Sequence, residues 1–192
     1  MASAEFVHLH GHSEYSLLDG GCHMEAMAPA AAQLGMSALA VTDHGNLFGA
    51  ISHYRSCRDA GVKPILGCEV YVAIGSRHER KGARGLTHGS NHLVLLAKNE
   101  TGWRNLVKLV SKGYTEGFYY NPRIDKELLR SHSEGLVCLS ACVSGEVAHL
   151  IQEEGVDTAE EAVREYLDIF GDDYYLEIQR HGIDIEAKVN DG

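Results

Sequence analysis

Short apolar runs alternate with segments of helical spacing along the whole chain. Six of the runs have the length of a β-strand, and they are residues 6–10, 38–42, 65–72, 92–97, 136–140 and 174–178. Several of them are almost continuous in Ala, Val, Ile and Leu, as expected of strands that are covered on both faces. This pattern favours a parallel sheet.

Four segments between these runs carry apolar residues at helical spacing, and they are residues 24–34, 46–60, 102–112 and 158–170. Thr158 and Glu161 have the spacing of a capping box at the start of the last segment. Gly35 and Gly61 stand where the first two helices should end. Pro29 leaves the start of the first helix open, because proline is poorly accommodated inside a helix. The alternation predicts one α/β domain whose sheet is open or closed into a barrel.

One long stretch interrupts the alternation. Residues 75–90, GSRHERKGARGLTHGS, are rich in glycine and basic residues and have no periodicity, which predicts a long exposed loop. A solvated insertion is one interpretation. Contact with a substrate is the other, since long loops often carry function.

The composition is that of an ordinary globular chain with an acidic balance. It has 192 residues, 44% hydrophobic and 23% charged, which is enough for one substantial core. Its 17 basic and 27 acidic residues give a net charge of -10. Such a charge repels a phosphate backbone unless cations or local basic patches intervene. Any contact with nucleic acid should therefore be local or assisted by metal.

The cysteines and the apolar runs bear on the cellular compartment. The five cysteines are scattered and lack CxxC spacing, so neither a disulfide framework nor a zinc ribbon is indicated. No apolar run approaches the roughly 18 residues of a membrane span, and the first residues lack the order of a signal peptide. We therefore expect a protein of the reducing cytoplasm without membrane contact.

Ligand-type side chains gather where the predicted strands end, which is where ligand sites of α/β sheets form. The first run leads into HLHGHSEYSLLDG. His8 and His10 are two residues apart, so an extended segment would point both at one ion. Polar residues on an exposed edge are the alternative. The chain should turn at Gly11, so we interpret His12 as a supporting or structural residue.

The next two runs add acids and another histidine. Asp19 precedes two glycines, as either a metal ligand or a turn-forming aspartate. VTDHGN places Asp43 and His44 directly after the second run, with His44 the better ligand candidate and Asp43 able to orient a histidine. Glu69 lies inside an apolar run, where an unpaired acid is costly to bury, which favours a ligand role over an edge carboxylate.

Two further candidates rest on weaker arguments. His92 opens the run HLVLLA, which is the wrong end if that strand is parallel to the others. Cys142 follows LVCLSA, where a free structural thiol is more common than a ligand, and Cys138 is interpreted as core. Mixed nitrogen and oxygen donors suit zinc, manganese or iron better than magnesium or calcium. The leading hypothesis is a multinuclear hydrolytic metal site.

Seven segments together resemble one family. They are FVHLHGHSEYSLLDG, ALAVTDHGNLFGAI, GVKPILGCEVYVA, HLVLLAKNETGWRNLVKL, EGFYYNPRIDKELL, GLVCLSACVSGEV and YYLEIQRHG. In this order they closely resemble the PHP (polymerase and histidinol phosphatase) domain at the amino terminus of bacterial DNA polymerase III alpha subunits. The resemblance covers essentially all of residues 1–192, which it identifies as one PHP domain.

The resemblance implies a fold and a set of metal ligands. The fold is a distorted TIM-like barrel of seven β/α units, six of whose strands are found here. Two or three divalent ions would be bound, and His8, His10, Asp19, His44 and Glu69 would act in catalysis through them. The full ligand pattern falls on His8, His10, Asp19, His44, Glu69, His92 and Cys142.

The end of the chain departs from the family pattern. The family continues into an NDxHY-like motif that supplies two more ligands, whereas this chain ends in KVNDG with Asp191 in a helix-like context. No acid cluster of a polymerase palm is found either. We therefore expect an amino-terminal fragment that lacks the last β/α unit and the palm, fingers and thumb.

The function implied is metal-dependent 3′–5′ exonuclease proofreading within a DNA-directed DNA polymerase. Its partners would be the primer 3′ end, other subunits of the replicative polymerase and the remaining polymerase domains. A stand-alone phosphatase of the histidinol phosphate type is one alternative, although ETGWRNLVKLVSKGY and GFYYNPRI resemble the polymerase branch. A non-catalytic module that stabilises the polymerase or docks a proofreading subunit is the other. The intact His8, His10 and His44 argue against such a degenerate site.

Overall fold

Seven strands form one mixed sheet in the computed structural model of the protein, which describes residues 6–80 and 89–192. The strands are β1 Ala38–Val41, β2 Lys63–Ala73, β3 Ser90–Ala97, β4 Phe118–Tyr119, β5 Asn121–Ile124, β6 Leu136–Leu139 and β7 Tyr174–Tyr175. Their order is β4-β5-β2-β3-β6-β7, with β1 also paired to β2. The described strands thus form an open sheet. The α/β class is confirmed, and the open sheet is consistent with an incomplete TIM-like barrel.

Seven α-helices accompany the sheet in the described part of the chain. They are α1 Met24–Gln33, α2 Ala50–Asp59, α3 Glu100–Thr115, α4 Lys126–His132, α5 Glu146–Glu153, α6 Val156–Phe170 and α7 Asp184–Asp191. None of these helices is long and apolar enough to cross a membrane.

The central strand β2 sets the directions of its neighbours. Along one edge it pairs in parallel with β1 and, near its end, with β5. On its other edge β3 is antiparallel to it, and β6 is antiparallel to β3. The expectation of a parallel sheet is therefore wrong for β3. As a result, the amino end of β3 lies beside the carboxyl end of β2.

The main core lies between the sheet and helices α3, α4 and α6. Leu106 and Leu109 are three residues apart on α3, so they share one face of the helix. Both are fully buried in one cluster with Leu93 and Leu95 of β3. Burial of each such side chain contributes about 1.5–3 kcal/mol. This packing holds helix α3 against the sheet.

Among the predicted strands, the first one is wrong. Residues 6–10 do not form a strand, although they run beside β1, where the Ala40 amide donates to the His8 carbonyl at 2.9 Å. The last run keeps only the two strand residues of β7. The short strands β4 and β5 were not predicted, because two to four residues give no readable period. The other four runs each contain a strand.

The four predicted helices are confirmed, with shifted ends. Pro29 lies inside α1, which begins at Met24. The capping box is wrong, because α6 already begins at Val156 after Gly155 and no side chain caps it. Gly35 and Gly61 follow α1 and α2 with φ of +74° and +72°, the left-handed conformation that ends helices. Helices α4, α5 and α7 were missed, and Asp191 does lie in a helix.

The predicted loop over residues 75–90 is described only in part. Residues 81–88 lie outside the described residues. At its start, Arg77 is anchored rather than free, since its guanidinium donates to Asp125 at 3.0 Å and to Glu116 at 2.8 Å. The prediction that all of residues 75–90 are exposed is therefore wrong at Arg77.

Candidate metal centre

The carboxylate of Glu69 on β2 lies at the centre of four imidazoles. Glu69 is 1% exposed. Its Oε2 is 2.5 Å from Nε2 of His10 and 3.1 Å from Nε2 of His12. Its Oε1 contacts Nδ1 of His92 and lies 3.6 Å from Nδ1 of His44. One buried acid thus joins side chains that are far apart in the sequence.

The sheet brings these side chains to one edge. The segment of His10 and His12 is held to the end of β1, because the Gly11 amide donates to Oγ1 of Thr42 at 2.9 Å and the Thr42 amide donates to the Gly11 carbonyl at 2.8 Å. His44 follows β1 and pairs with Glu69 through an isolated β-bridge. His92 reaches the same edge from the amino end of the antiparallel β3.

Two groups of possible metal-binding side chains result in the described part of the chain. His10, His12 and Glu69 form one, and His44, Glu69 and His92 form the other. Within each group the candidate ligand atoms all lie within 4.8 Å of one another. Glu69 belongs to both groups, so it could bridge two ions.

The structure brings His12, rather than His8, to Glu69. His8 is exposed, its ring packs edge-on against Phe6 at 4.8 Å between centroids, and it belongs to neither group. The chain bends at His10, next to Gly11, and the rings of His10 and His12 both reach Glu69, at 5.1 Å between their centroids. The prediction that His8 and His10 point at one ion assumed an extended strand, whereas residues 6–12 form no strand and the pair at Glu69 is His10 and His12.

Asp19 and Cys142 lie at the edge of the cluster. Oδ2 of Asp19 is 3.0 Å from Nε2 of His44, and its side chain is 58% exposed. Sγ of Cys142 is 3.8 Å from Nδ1 of His92. Each predicted residue therefore contacts one histidine of the second group.

Asp43 joins the two loops that carry His12 and His44. Its buried carboxylate accepts hydrogen bonds from the Ser13 amide at 2.7 Å, from Oγ of Ser13 at 2.7 Å and from Oγ of Ser16 at 2.8 Å. Oγ of Ser16 also accepts from the His44 amide at 3.1 Å. Asp43 is thus linked to the backbone of His44 through Ser16, and its role in orienting a histidine stays a prediction.

Opposite charges compensate one another in the cluster. Burial by itself lowers the pKa of His10, but hydrogen bonds with Glu177 and Glu69 outweigh it and raise the pKa to about 10. Burial likewise opposes protonation of His92, whereas Cys142 and Glu69 raise its pKa to about 10. Burial would raise the pKa of Glu69, yet hydrogen bonds with its histidine neighbours hold that pKa well below the ordinary value.

The donors present fit divalent metal ions. Nδ1 of His44 and Nδ1 of His12 are buried and have no hydrogen-bond partner among the described residues. Buried polar atoms without a partner are rare in folded proteins and call for an explanation. Coordination of an ion would supply the partner, and imidazole with carboxylate suits zinc, manganese or iron.

Three residues of the site were missed by sequence reasoning. Oε1 of Glu177 is 2.8 Å from Nδ1 of His10, and Nε2 of Gln179 donates to that same oxygen at 2.6 Å. The ring of Tyr71 lies 5.2 Å from that of His92. Glu177 had a usable signal, since it is an acid inside the last apolar run, as Glu69 is in the third.

Two curated proteins similar to this chain are DNA polymerase III alpha subunits. The chain is 50% identical over 190 residues to the DNA polymerase III subunit alpha of Treponema pallidum, covering 98% of this chain and 16% of that protein. It is 48% identical over 188 residues to that of Thermus aquaticus, covering 97% and 15%. The chain thus spans only 15–16% of the length of these two relatives.

One solved structure, a candidate metal-dependent phosphoesterase from Bifidobacterium adolescentis, is 17% identical over 58% of this chain and 34% of that chain. Its TM-score of 0.42 is too low to carry an argument. The model of the PHP domain family, in contrast, matches residues 8–181. The chain therefore belongs to the PHP domain family.

Proposed function

We propose that this domain hydrolyses phosphate esters with clustered divalent metal ions, as the PHP domain of a bacterial DNA polymerase III alpha subunit. The observation that carries the proposal is the position of Glu69, a buried carboxylate shared by two groups of histidines. The alpha subunits that are 48–50% identical to this chain support the polymerase context.

His10, His12 and Glu69 would hold one ion, and His44, His92 and Glu69 would hold a second. Asp19 and Cys142 would complete the second site, and the predicted ligand role of His8 stays a prediction. Zinc, manganese or iron is proposed from the donor types. When bound, such ions polarise phosphoryl oxygens, lower the pKa of a coordinated water and stabilise the leaving oxygen.

The protein's own residues would leave one side of the metal centre open to the substrate and would hold the ligand side chains in place. The side chains of His12, His44 and His92 remain 18–23% exposed, so a phosphate ester can approach from their open side. The rings of His12 and His44 are stacked at 4.1 Å, and Asp43 ties their loops together through Ser13 and Ser16. This rigidity would keep the ligand atoms from spreading when an ion is lost.

For the substrate we propose the 3′ end of a DNA primer, which amounts to 3′–5′ proofreading in the bacterial cytoplasm. The partners would be other subunits of the replicative polymerase and the remaining domains of the polymerase chain. The net charge of -10 disfavours extended contact with DNA. Bound metal ions would supply the missing positive charge at the one place where the 3′ end must enter.

The test compares the wild type with Glu69→Gln and, as control, Glu161→Gln at an exposed position of α6. Each protein is stripped with a chelator, reloaded with Zn²⁺ or Mn²⁺, analysed for bound metal and incubated with 3′-labelled single-stranded DNA. Metal and nuclease activity should both be lost in Glu69→Gln and kept in the control. Nuclease activity that survives both chelation and Glu69→Gln contradicts the proposal.

A parallel assay with histidinol phosphate separates the proposal from its small-molecule alternative. Metal-loaded wild type that hydrolyses histidinol phosphate but not DNA would identify a phosphatase. Metal-loaded wild type that hydrolyses neither would leave the docking module as the function of the domain.

A further inference from the structure

The imidazole of His10 lies between two carboxylates, one at each ring nitrogen. Nε2 is 2.5 Å from Oε2 of Glu69, on the side of the proposed metal centre. Nδ1 is 2.8 Å from Oε1 of Glu177. Glu177 is thus placed to act on the centre without belonging to either group of candidate ligands.

The carboxylate of Glu177 is held by neighbours and is not a free surface acid. Its side chain is only 14% exposed. Its backbone amide donates to Oγ of Ser140 at 2.8 Å, directly after β6, and Nε2 of Gln179 donates to its Oε1 at 2.6 Å. The Gln179 carbonyl in turn accepts from Nδ2 of Asn190 on α7 at 2.8 Å. These contacts fix Oε1 where it meets the ring of His10.

An imidazole ligates a metal through one nitrogen while the other nitrogen keeps its hydrogen. A hydrogen bond at the second nitrogen decides which of the two is left for the metal, and it fixes the plane of the ring. Glu177 can accept a hydrogen bond at Nδ1, so it would keep the hydrogen on Nδ1 when a metal ion replaces the proton of Nε2 on the side of Glu69.

We infer that Glu177 is a positioning residue, which holds Nδ1–H of His10 and thereby presents Nε2 to a divalent metal ion. The inference rests on the metal site proposed above. It adds a residue beyond the predicted ligands, at the segment after β7 where the sheet pairing has already ended.

The experiment uses Zn²⁺ as the probe and compares wild type, Glu177→Ala, Glu177→Gln and the exposed control Glu161→Gln. The Kd for Zn²⁺ is measured by competition with a chelating dye. Glu177→Ala should raise the Kd about 10- to 100-fold, the usual effect of removing such a partner. Glu177→Gln should raise it less, because its amide oxygen can still accept from Nδ1, and the control should match the wild type.

A spectroscopic readout separates positioning from a merely structural role. With ¹⁵N-labelled histidine, the Zn²⁺-loaded wild type should show His10 bound through Nε2, with a protected proton on Nδ1. That proton should exchange rapidly with water in Glu177→Ala. The His8→Ala variant serves to assign the histidine signals, because it removes the signal of His8 and leaves the contact between His10 and Glu177 in place.

The two proposals fail in different ways. Wild type that binds no Zn²⁺ overturns the metal site and this inference with it. Wild type that binds Zn²⁺ while folded Glu177→Ala binds it within twofold, or that ligates it through Nδ1 of His10, overturns the inference alone. If Glu177→Ala does not fold, the His10 signal of the wild type and the Kd of Glu177→Gln decide the matter.

Discussion

His92 of β3 stands opposite Tyr71 of β2, two residues beyond Glu69, because the two strands run antiparallel. This pairing brings Nδ1 of His92 into contact with Oε1 of Glu69. If β3 were parallel to β2, His92 would lie at the opposite end of the strands from Glu69. The direction of one strand therefore decides whether the second group of candidate ligands exists.

The two early histidines should differ in their effect on metal binding. His12→Ala removes an imidazole 3.1 Å from Glu69, whereas His8→Ala removes an exposed ring that packs on Phe6. We expect His12→Ala to weaken binding of Zn²⁺ or Mn²⁺ strongly and His8→Ala to leave these two sites close to wild type. Titration calorimetry measures both. The opposite ranking would restore His8 as the ligand at Glu69.

Loss of the Asp43 carboxylate should destabilise the fold as well as the site. Asp43→Ala strips acceptors from the Ser13 amide and from two serine hydroxyls in a buried place. Each buried donor left without a partner costs about 1–3 kcal/mol. Urea unfolding should show at least this loss relative to Asp168→Asn, an exposed aspartate of α6. Equal midpoints for the two variants would mean that water replaces the lost bonds.

Helix α3 offers a matched pair for testing the core. Leu109→Ala removes a side chain that is fully buried in the main cluster, while Val107→Ala changes a neighbour that is 37% exposed. We expect a loss of about 2–5 kcal/mol in the free energy of unfolding for Leu109→Ala. Val107→Ala should lose clearly less. Denaturant unfolding of both variants measures the difference, and similar losses would place the core elsewhere.

Glu116 should make stability fall in acid. Hydrogen bonds with Lys112 and Arg77 lower its pKa from 4.5 to about 2. A carboxyl group whose pKa is lower in the folded state stabilises the fold above pH 4.5, and this contribution is lost as the pH falls from 4.5 to about 2. Glu116→Gln should therefore have a lower Tm than wild type at pH 7, and the gap should close by pH 2. A Tm gap that does not change between pH 7 and pH 2 contradicts this assignment.

The sequence by itself determined four of the strands, four of the helices and part of the candidate centre. Continuous apolar runs identified four strands, because burial on both faces leaves a local signal. Glu69 was recognisable for the same reason, as an acid within a run that must be buried. His10, His44 and the helix-ending Gly35 and Gly61 also followed from local rules of spacing and backbone conformation.

Only the tertiary structure decided which side chains meet. Strand direction depends on pairing between distant residues, so no local pattern could show that His92 lies at the same edge as Glu69. The choice of His12 over His8 depends on how the first segment lies against β1, and the contact of Glu177 with His10 spans 167 positions of the chain. Periodicity reports the neighbours of a residue along the chain, whereas a metal centre is built from contacts across it.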